Sequence, residues 1–300
     1  MNFNPPPKMV MMASNAGKYK SELPIFQLLL RGFMAGAYIA VGAALCTVCS
    51  TAVAGYLGAG FGKLIAGAVF PVGLIAIVIT GMELFTGDAM LGPVAAMLGK
   101  TSWGFVMQNW VFVYIGNLVG SLFYAYMMVI GPFTQGHLGA AEPNVFGMQA
   151  IAIAVGKTLV YKDAGTIGLW SCFMAAIGCN FLVNVAVLLG ITANDIIGKF
   201  FGIWFPIMAF VATGFEHCVA NMYFLPAGLW LTQWFPEVVT KTTAEGAYWS
   251  PLLAKYGGLT WGDVWLWNII PATLGNIVGG FVLIGVVYVM AFRNELPKEG

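Results

Sequence analysis

Seven stretches of this chain, residues 32–62, 64–82, 101–141, 164–194, 200–215, 217–236 and 264–292, contain no Asp, Glu, Lys or Arg. Several exceed the ~20 residues that a helix needs to cross the hydrocarbon core of a bilayer. In hydrocarbon every backbone N–H and C=O must find its partner within the protein, so such stretches fold as membrane helices. A soluble protein with buried helices would need a charged surface, about a quarter of its residues. Here 8% of residues are charged and 60% apolar, with 13 basic and 12 acidic side chains among 300. The class that follows is an all-α membrane protein. The net charge of +1 and the lack of a dense basic cluster give no reason to expect nucleic acid as a partner. The N-terminus, with Pro5-Pro6-Pro7 and scattered lysines, lacks the compact apolar core and cleavage site of a signal peptide.

The chain repeats itself. Thr213-Gly214-Phe215-Glu216-His217 has a partial copy 133 residues earlier, Thr80-Gly81-Met82-Glu83-Leu84, and a Phe-Pro pair precedes each, at Phe70-Pro71 and Phe205-Pro206. The pattern Asn-x6-Gly-Asn-x2-Gly occurs at Asn109, Gly116-Asn117 and Gly120, and again at Asn268, Gly275-Asn276 and Gly279. Two halves, each with a carboxylate interrupting an apolar span, indicate a transporter or channel whose pathway lies at the repeat interface. The halves differ at His217, which the first replaces with Leu84.

Six crossings are expected, at about Pro24–Thr51, Leu64–Met97, Phe105–Ile130, Ala164–Leu189, Gly198–Trp234 and Asp263–Phe292. They form one transmembrane channel domain: a cytoplasmic segment 1–23, a first repeat 24–130, a second repeat 164–292 and a tail 293–300. Three crossings per half reverse direction, which makes the repeats inverted. Spans 2 and 5 are too long for one crossing, since a 34-residue helix reaches about 51 Å against a core of about 30 Å. Broken helices are therefore expected in both, at Thr86-Gly87-Asp88 in span 2 and at Thr213-Gly214 in span 5. The N-terminal end, the 2–3 and 4–5 connections and the tail carry eight of the thirteen Lys and Arg. Lys63, Lys157, Lys162, Lys241 and Lys255 fall in the other connections, a modest bias that puts both termini in the cytoplasm. Gly32-x3-Gly36, Gly116-x3-Gly120 and Gly275-x3-Gly279 are placed to let helices approach closely.

Buried carboxylates in a bilayer need partners. Free N–H groups at the breaks and the amides of Asn117 and Asn276 are the candidates. Glu83, Asp88, Glu216 and Asn221 are read, with those two asparagines, as a scaffold that shapes the breaks. The second half-helices start near the midplane, and their positive dipole ends favour a small anion. Thr86 is placed to cap the first of them and to face the lumen. His217 is the one group at depth that titrates in the physiological range. The five cysteines, Cys46, Cys49, Cys172, Cys179 and Cys218, read as small packing residues. Cys46-x-x-Cys49 lacks the second pair or nearby His of a metal site. No cofactor is expected.

The blocks Glu83-Leu84-Phe85-Thr86, Gly116-Asn117-Leu118-Val119-Gly120, Gly214-Phe215-Glu216-His217-Cys218-Val219-Ala220-Asn221-Met222 and Leu274-Gly275-Asn276-Ile277-Val278-Gly279 resemble the formate/nitrite transporter family. The likeness runs from about Leu30 to Phe292. It implies a homopentamer of aquaporin-like protomers in the cell membrane, each with its own pore for small monovalent acids or anions. His217 and Thr86 then line the pore centre, with apolar constrictions at Phe70, Leu74, Leu84, Phe85, Val183 and Phe210. A family lysine ahead of the fourth span draws anions into the outer vestibule, and Lys157 and Lys162 compete for that place. Asn184 departs from the pattern, standing where a small apolar residue or Cys is usual.

The leading function is proton-linked passage of formate, whose carboxyl group titrates near or below about 4 and so is almost wholly ionised at neutral pH. Apolar rings oppose an anion, and protonation removes most of that cost. Nitrite is the runner-up, followed by hydrosulfide and short monocarboxylates. An intramembrane enzyme would need a paired catalytic set, which Glu216-His217 alone does not supply. A water or glycerol channel would carry paired Asn-Pro-Ala signatures, and the comparable triplet here is Ala220-Asn221-Met222.

Overall fold

The computed structural model describes residues 3–240 and 250–296. Among them the architecture rests on α1 (Pro6–Ser21), α2 (Ile25–Ser50), α3 (Ala59–Thr80), α4 (Phe85–Met97), α5 (Trp103–Phe133), α6 (Val145–Lys157), α7 (Thr166–Thr192), α8 (Ile196–Ala212), α9 (Cys218–Trp234) and α10 (Trp261–Phe292). Helices α2, α3, α5, α7 and α10 are long and apolar enough to cross a membrane, and α8 is a shorter apolar helix. Pro24 stands just before α2, at its N-cap position. Lys241 and residues 297–300 of the tail lie outside the described residues.

Both overlong stretches divide in two. Helix α3 stops at Thr80 and α4 starts at Phe85, while α8 stops at Ala212 and α9 starts at Cys218. The exits are made by Gly81 at φ +74° and Gly214 at φ +79°, left-handed conformations that glycine adopts without a Cβ penalty. In the first half the chain therefore leaves the helix earlier than expected. Thr86, Gly87 and Asp88 are helical residues of the first turn of α4.

Glycine sets the packing within each half. In the first, α2 lies along α5, and a Cβ built on Gly116 would come within 2.9 Å of the Gly32 Cα. In the second, α7 lies along α10, and a Cβ on Gly275 would overlap the Phe173 carbonyl. A short helix also precedes each half. Helix α1 packs on α4, where Gly17 meets the Leu91 carbonyl, and α6 packs on α9, where Gly228 meets Ala154. The segment 1–23 is thus largely a docked helix, and the connection between α5 and α7 contains its counterpart.

A main core joins α2, α3, α5, α7, α8 and α9, and a smaller one gathers Met9, Val10, Ala13, Met90, Leu91, Val94, Val187, Leu188, Ile284 and Val289 under α1. Apolar side chains also face outward. On α5 they include Trp103, Met107, Val111, Ile115, Val119 and Phe123, spaced four residues apart along a stripe that winds around the helix.

Candidate functional site

The two interruptions are held by the same three hydrogen bonds. Asn117 Nδ2 donates to the carbonyls of Glu83 (2.9 Å) and Gly32 (2.8 Å), and Asn117 Oδ1 accepts from the Phe85 N–H (2.9 Å). Asn276 Nδ2 donates to the carbonyls of Glu216 (2.9 Å) and Ala176 (2.8 Å), and its Oδ1 accepts from the Cys218 N–H (2.9 Å). Each asparagine closes the open end of a helix and ties the extended link to two neighbours. The amides therefore serve the backbone of Glu83 and Glu216, not their carboxylates as the sequence suggested.

Lysines serve the carboxylates. Lys157, the last residue of α6, places Nζ 2.9 Å from Glu216 Oε2, and the same carboxylate accepts from Tyr161 Oη (2.9 Å), Asn221 Nδ2 (2.7 Å) and Asn268 Nδ2 (3.0 Å). Lys20, near the end of α1, lies 2.8 Å from Glu83, and Arg31 lies 3.9 Å from it. The correspondence extends to the backbone, since Asn109 donates to the Lys20 carbonyl (3.2 Å) and Asn268 to the Lys157 carbonyl (2.8 Å). Sequence reasoning missed Lys20. Its signal was there: Lys20 precedes Glu83 by 63 residues and Lys157 precedes Glu216 by 59.

Of the two competing lysines, Lys157 lines the cavity beneath α6, and Lys162 is not among the residues of that cavity. Lys162 pairs with Asp263 (2.8 Å) and lies over the Tyr256 ring at 4.5 Å. The cavity beneath α6 has a volume of about 580 Å³ and is lined by Lys157, Tyr161, Glu216, His217, Phe70 and Phe210, among others. A second cavity of about 230 Å³ beneath α1 is lined by Lys20, Leu74, Leu84, Asp88, Val187 and Lys199, among others.

His217 and Thr86 meet between these cavities. His217 Nε2 lies 3.1 Å from Thr86 Oγ1, and both side chains are buried. His217 Nδ1 accepts from the Ala220 N–H at 3.1 Å and so caps α9. A neutral ring whose Nδ1 accepts must carry its proton on Nε2, which then donates to Thr86 Oγ1. The Thr86 hydroxyl proton is thereby left to point elsewhere. Thr86 does not cap α4, as the sequence had suggested, because the N-cap position is Leu84. Its carbonyl is held instead by the amides of Asn180 (3.0 Å) and Asn184 (3.1 Å), which gives the unusual Asn184 a contact at the centre.

The apolar residues divide between the two sides. The Phe210 ring stacks on His217 (5.7 Å, 25°) and meets Phe70 edge-on (5.6 Å), both toward the cavity beneath α6. Leu74 and Leu84 belong to the cavity beneath α1. Phe85 and Val183 are buried but line neither, and the Phe85 ring packs edge-on against Tyr114 at 4.9 Å. Among the described residues, no three His, Cys, Asp or Glu side chains converge as a metal site would require.

Glu216→Gln is expected to weaken the assembled protein more than it changes selectivity. It removes the charge from a four-donor carboxylate, a loss of about 1.5–3 kcal/mol per charge-assisted bond. Thermal melting in detergent measures it. Unchanged melting with an altered substrate preference would take Glu216 out of the scaffold.

A family profile described as formate/nitrite transporter matches residues 7–290. The chain is 38% identical to a probable formate transporter of Methanothermobacter thermautotrophicus, covering 98% of this chain and 99% of that protein. It is 35% identical to the formate channel FocA of Haemophilus influenzae, covering 95% of this chain and 92% of that one. Among solved structures, a pentameric formate channel with formate bound superposes with a TM-score of 0.69 at 30% identity, covering 90% of this chain and 98% of that one.

Proposed function

The chain belongs to the formate/nitrite transporter family and is a multi-pass membrane protein, and from that premise we propose that it is a proton-linked formate channel. The observation that carries this reading is the buried His217–Thr86 pair, with His217 lining one cavity beside Lys157 and Glu216, and Lys20 lining a second. The relatives named for formate do not favour the nitrite alternative. The protein works as a channel and not as an enzyme, in keeping with the transporters and channels it resembles.

The domain 1–300 crosses the membrane six times as an inverted repeat, with 24–130 and 164–292 as its halves. The interruptions at 81–84 and 213–217 are breaks within the second and fifth crossings. Five copies assemble, as in the pentameric channel it resembles. The protein lies in the cell membrane with both termini cytoplasmic, in line with the Lys and Arg bias. The cavity beneath α1 then opens inward and that beneath α6 outward.

Lys157 at the outer cavity, Lys20 at the inner one and the positive ends of α4 and α9 concentrate formate. Phe70 and Phe210 outside, and Leu74 and Leu84 inside, exclude water and hydrated ions. Phe85 and Val183 support these walls from behind. At the centre the Thr86 hydroxyl, held as a donor by His217, hydrogen-bonds the carboxylate. An imidazolium would turn an Nδ1–H against the Ala220 N–H, so that state is transient and hands its proton to formate. Neutral formic acid then passes. Glu83, Asp88, Glu216, Asn117, Asn221 and Asn276 hold the breaks in shape.

Uptake of formate, nitrite and acetate by purified protein in liposomes, each at two pH values, tests the assignment. Formate is expected to enter fastest and faster at the lower pH, whereas nitrite ahead of formate would reverse it. The paired substitution Leu74→Ala and Phe210→Ala removes one wall residue from each side of the centre, because the two residues flank it and do not share one constriction. Lactate and chloride are expected to leak before formate flux declines. A double variant that keeps the parent's selectivity order and excludes chloride would place the filter elsewhere.

A further inference from the structure

The two halves match at Glu83 and Glu216 but part company five residues later, where the first has Asp88 and the second Asn221. In the second half the Asn221 amide donates to Glu216 Oε2 at 2.7 Å and to Asn268 Oδ1 at 2.7 Å. An ionised aspartate has no proton to donate, so a charged Asp88 could not make the corresponding bond to Glu83.

Asp88 shares its one close cation, Lys20, with Glu83, and the second oxygen of its carboxyl group has no partner. Its side chain is 3% exposed and lines the cavity beneath α1. Lys20 of α1 is 2.8 Å from Glu83 but 3.5 Å from Asp88 Oδ1, and Arg31 of α2 lies 3.9 Å from Glu83. From α5, Asn109 donates to the Lys20 carbonyl and Trp110 Nε1 to the Asp88 backbone carbonyl (3.1 Å). From α8, Lys199 lines the same cavity and donates to the Gly190 carbonyl (2.6 Å). Asp88 Oδ2 is buried without a hydrogen-bond partner. Two carboxylates in one buried site repel each other, and here both cations lie nearer Glu83.

We propose that Asp88 is a carboxylic acid in the resting protein and forms a second proton-exchange site, acting on a small carboxylate in the inner cavity. The exchange rests on the formate-channel reading; the protonated state of Asp88 does not. In the acid form Asp88 becomes a donor toward Glu83, the role that the Asn221 amide plays toward Glu216. When formate enters, the Asp88 O–H bond breaks and its proton forms an O–H bond on formate. The electron pair stays on Asp88, and Lys20 stands beside the new carboxylate. A proton from cytoplasmic water restores the acid. The same buried surroundings that keep the proton on Asp88 also disfavour the charge of a formate that enters beside it, and so raise its affinity for the proton. The outer side, with Asn221 in this place, has no such site.

Infrared spectroscopy of the purified protein in lipid at neutral pH tests the proposal directly. A protonated-carboxyl C=O band is expected that shifts when aspartate alone is labelled with carbon-13. The other aspartates are committed elsewhere: Asp163 to Lys255 and Tyr256, Asp195 to the α8 cap, and Asp263 to Lys162. The band should vanish in Asp88→Asn, which copies Asn221, and persist in Glu216→Gln. Its absence from the parent, or its survival in Asp88→Asn, overturns the proposal. In liposomes, Asp88→Asn should lose the response of formate flux to inner pH by at least several-fold while keeping the response to outer pH. Retention of the inner response overturns the exchange step. A parent with the band but no formate flux would overturn the channel reading and leave the Asp88 proton standing.

Discussion

His217→Phe is expected to abolish pH-dependent formate uptake while leaving an assembled protein. The ring sits in a buried stack on Phe210 at 5.7 Å, and phenylalanine keeps an aromatic of similar bulk there. What disappears is Nε2, 3.1 Å from Thr86, together with the Nδ1 cap on the Ala220 N–H. Loss of the cap costs about 0.5–2 kcal/mol, tolerable for a well-packed protein. Without Nε2–H, the Thr86 hydroxyl is free to turn and the centre has no titrating group. Uptake compared between about pH 7.5 and about pH 5, which bracket the usual histidine range, reads the effect. A folded variant whose uptake still rises like the parent's would remove His217 from proton transfer. His217→Asn should retain some anion conductance with no pH response.

Asn276→Leu is expected to unfold the second break. Leucine is close to asparagine in size, so the effect is polar and not a cavity. The carbonyls of Glu216 and Ala176 and the Cys218 N–H lose their side-chain partner together. At about 1–3 kcal/mol for each buried group left unpaired, the total for the three reaches roughly 3–9 kcal/mol. That is a large share of the ~5–15 kcal/mol by which proteins are commonly stable. Asn117→Leu should do the same to the first break. Loss of the oligomer on gel filtration, or a sharply lowered melting temperature, is the expected readout. Melting within ~2 °C of the parent would mean that the asparagines are not what holds the links.

That each overlong stretch would contain a helix end was legible from its length set against the thickness of a bilayer core. The position in the first half was less so. Thr86-Gly87-Asp88 looks helix-weakening by composition, yet a helix's first turn accepts those residues, and Gly81 is where the backbone turns left-handed. Helix α6 escaped notice because Val145–Lys157 is too short to cross a membrane, and its purpose, to bring Lys157 to Glu216, is tertiary. Lys20 escaped for the same reason. It is one lysine among several in a segment read as a cytoplasmic extension, and only the docking of α1 on α4 brings it to Glu83. The asparagine repeats were visible, but the distinction between clamping a backbone and solvating a carboxylate needs coordinates. The contact of Asn184 with the Thr86 carbonyl is likewise a tertiary fact, seen in sequence only as a departure from pattern.

The central claim is that formate crosses with a proton, delivered at the buried pair between the two cavities. Its most direct test is a formate gradient imposed on liposomes that contain the purified protein and a trapped pH indicator, with the membrane potential recorded at the same time. One proton entering with each formate, and no potential developing, is the result this account predicts. Formate entry that charges the membrane and leaves the lumen pH unchanged would contradict it.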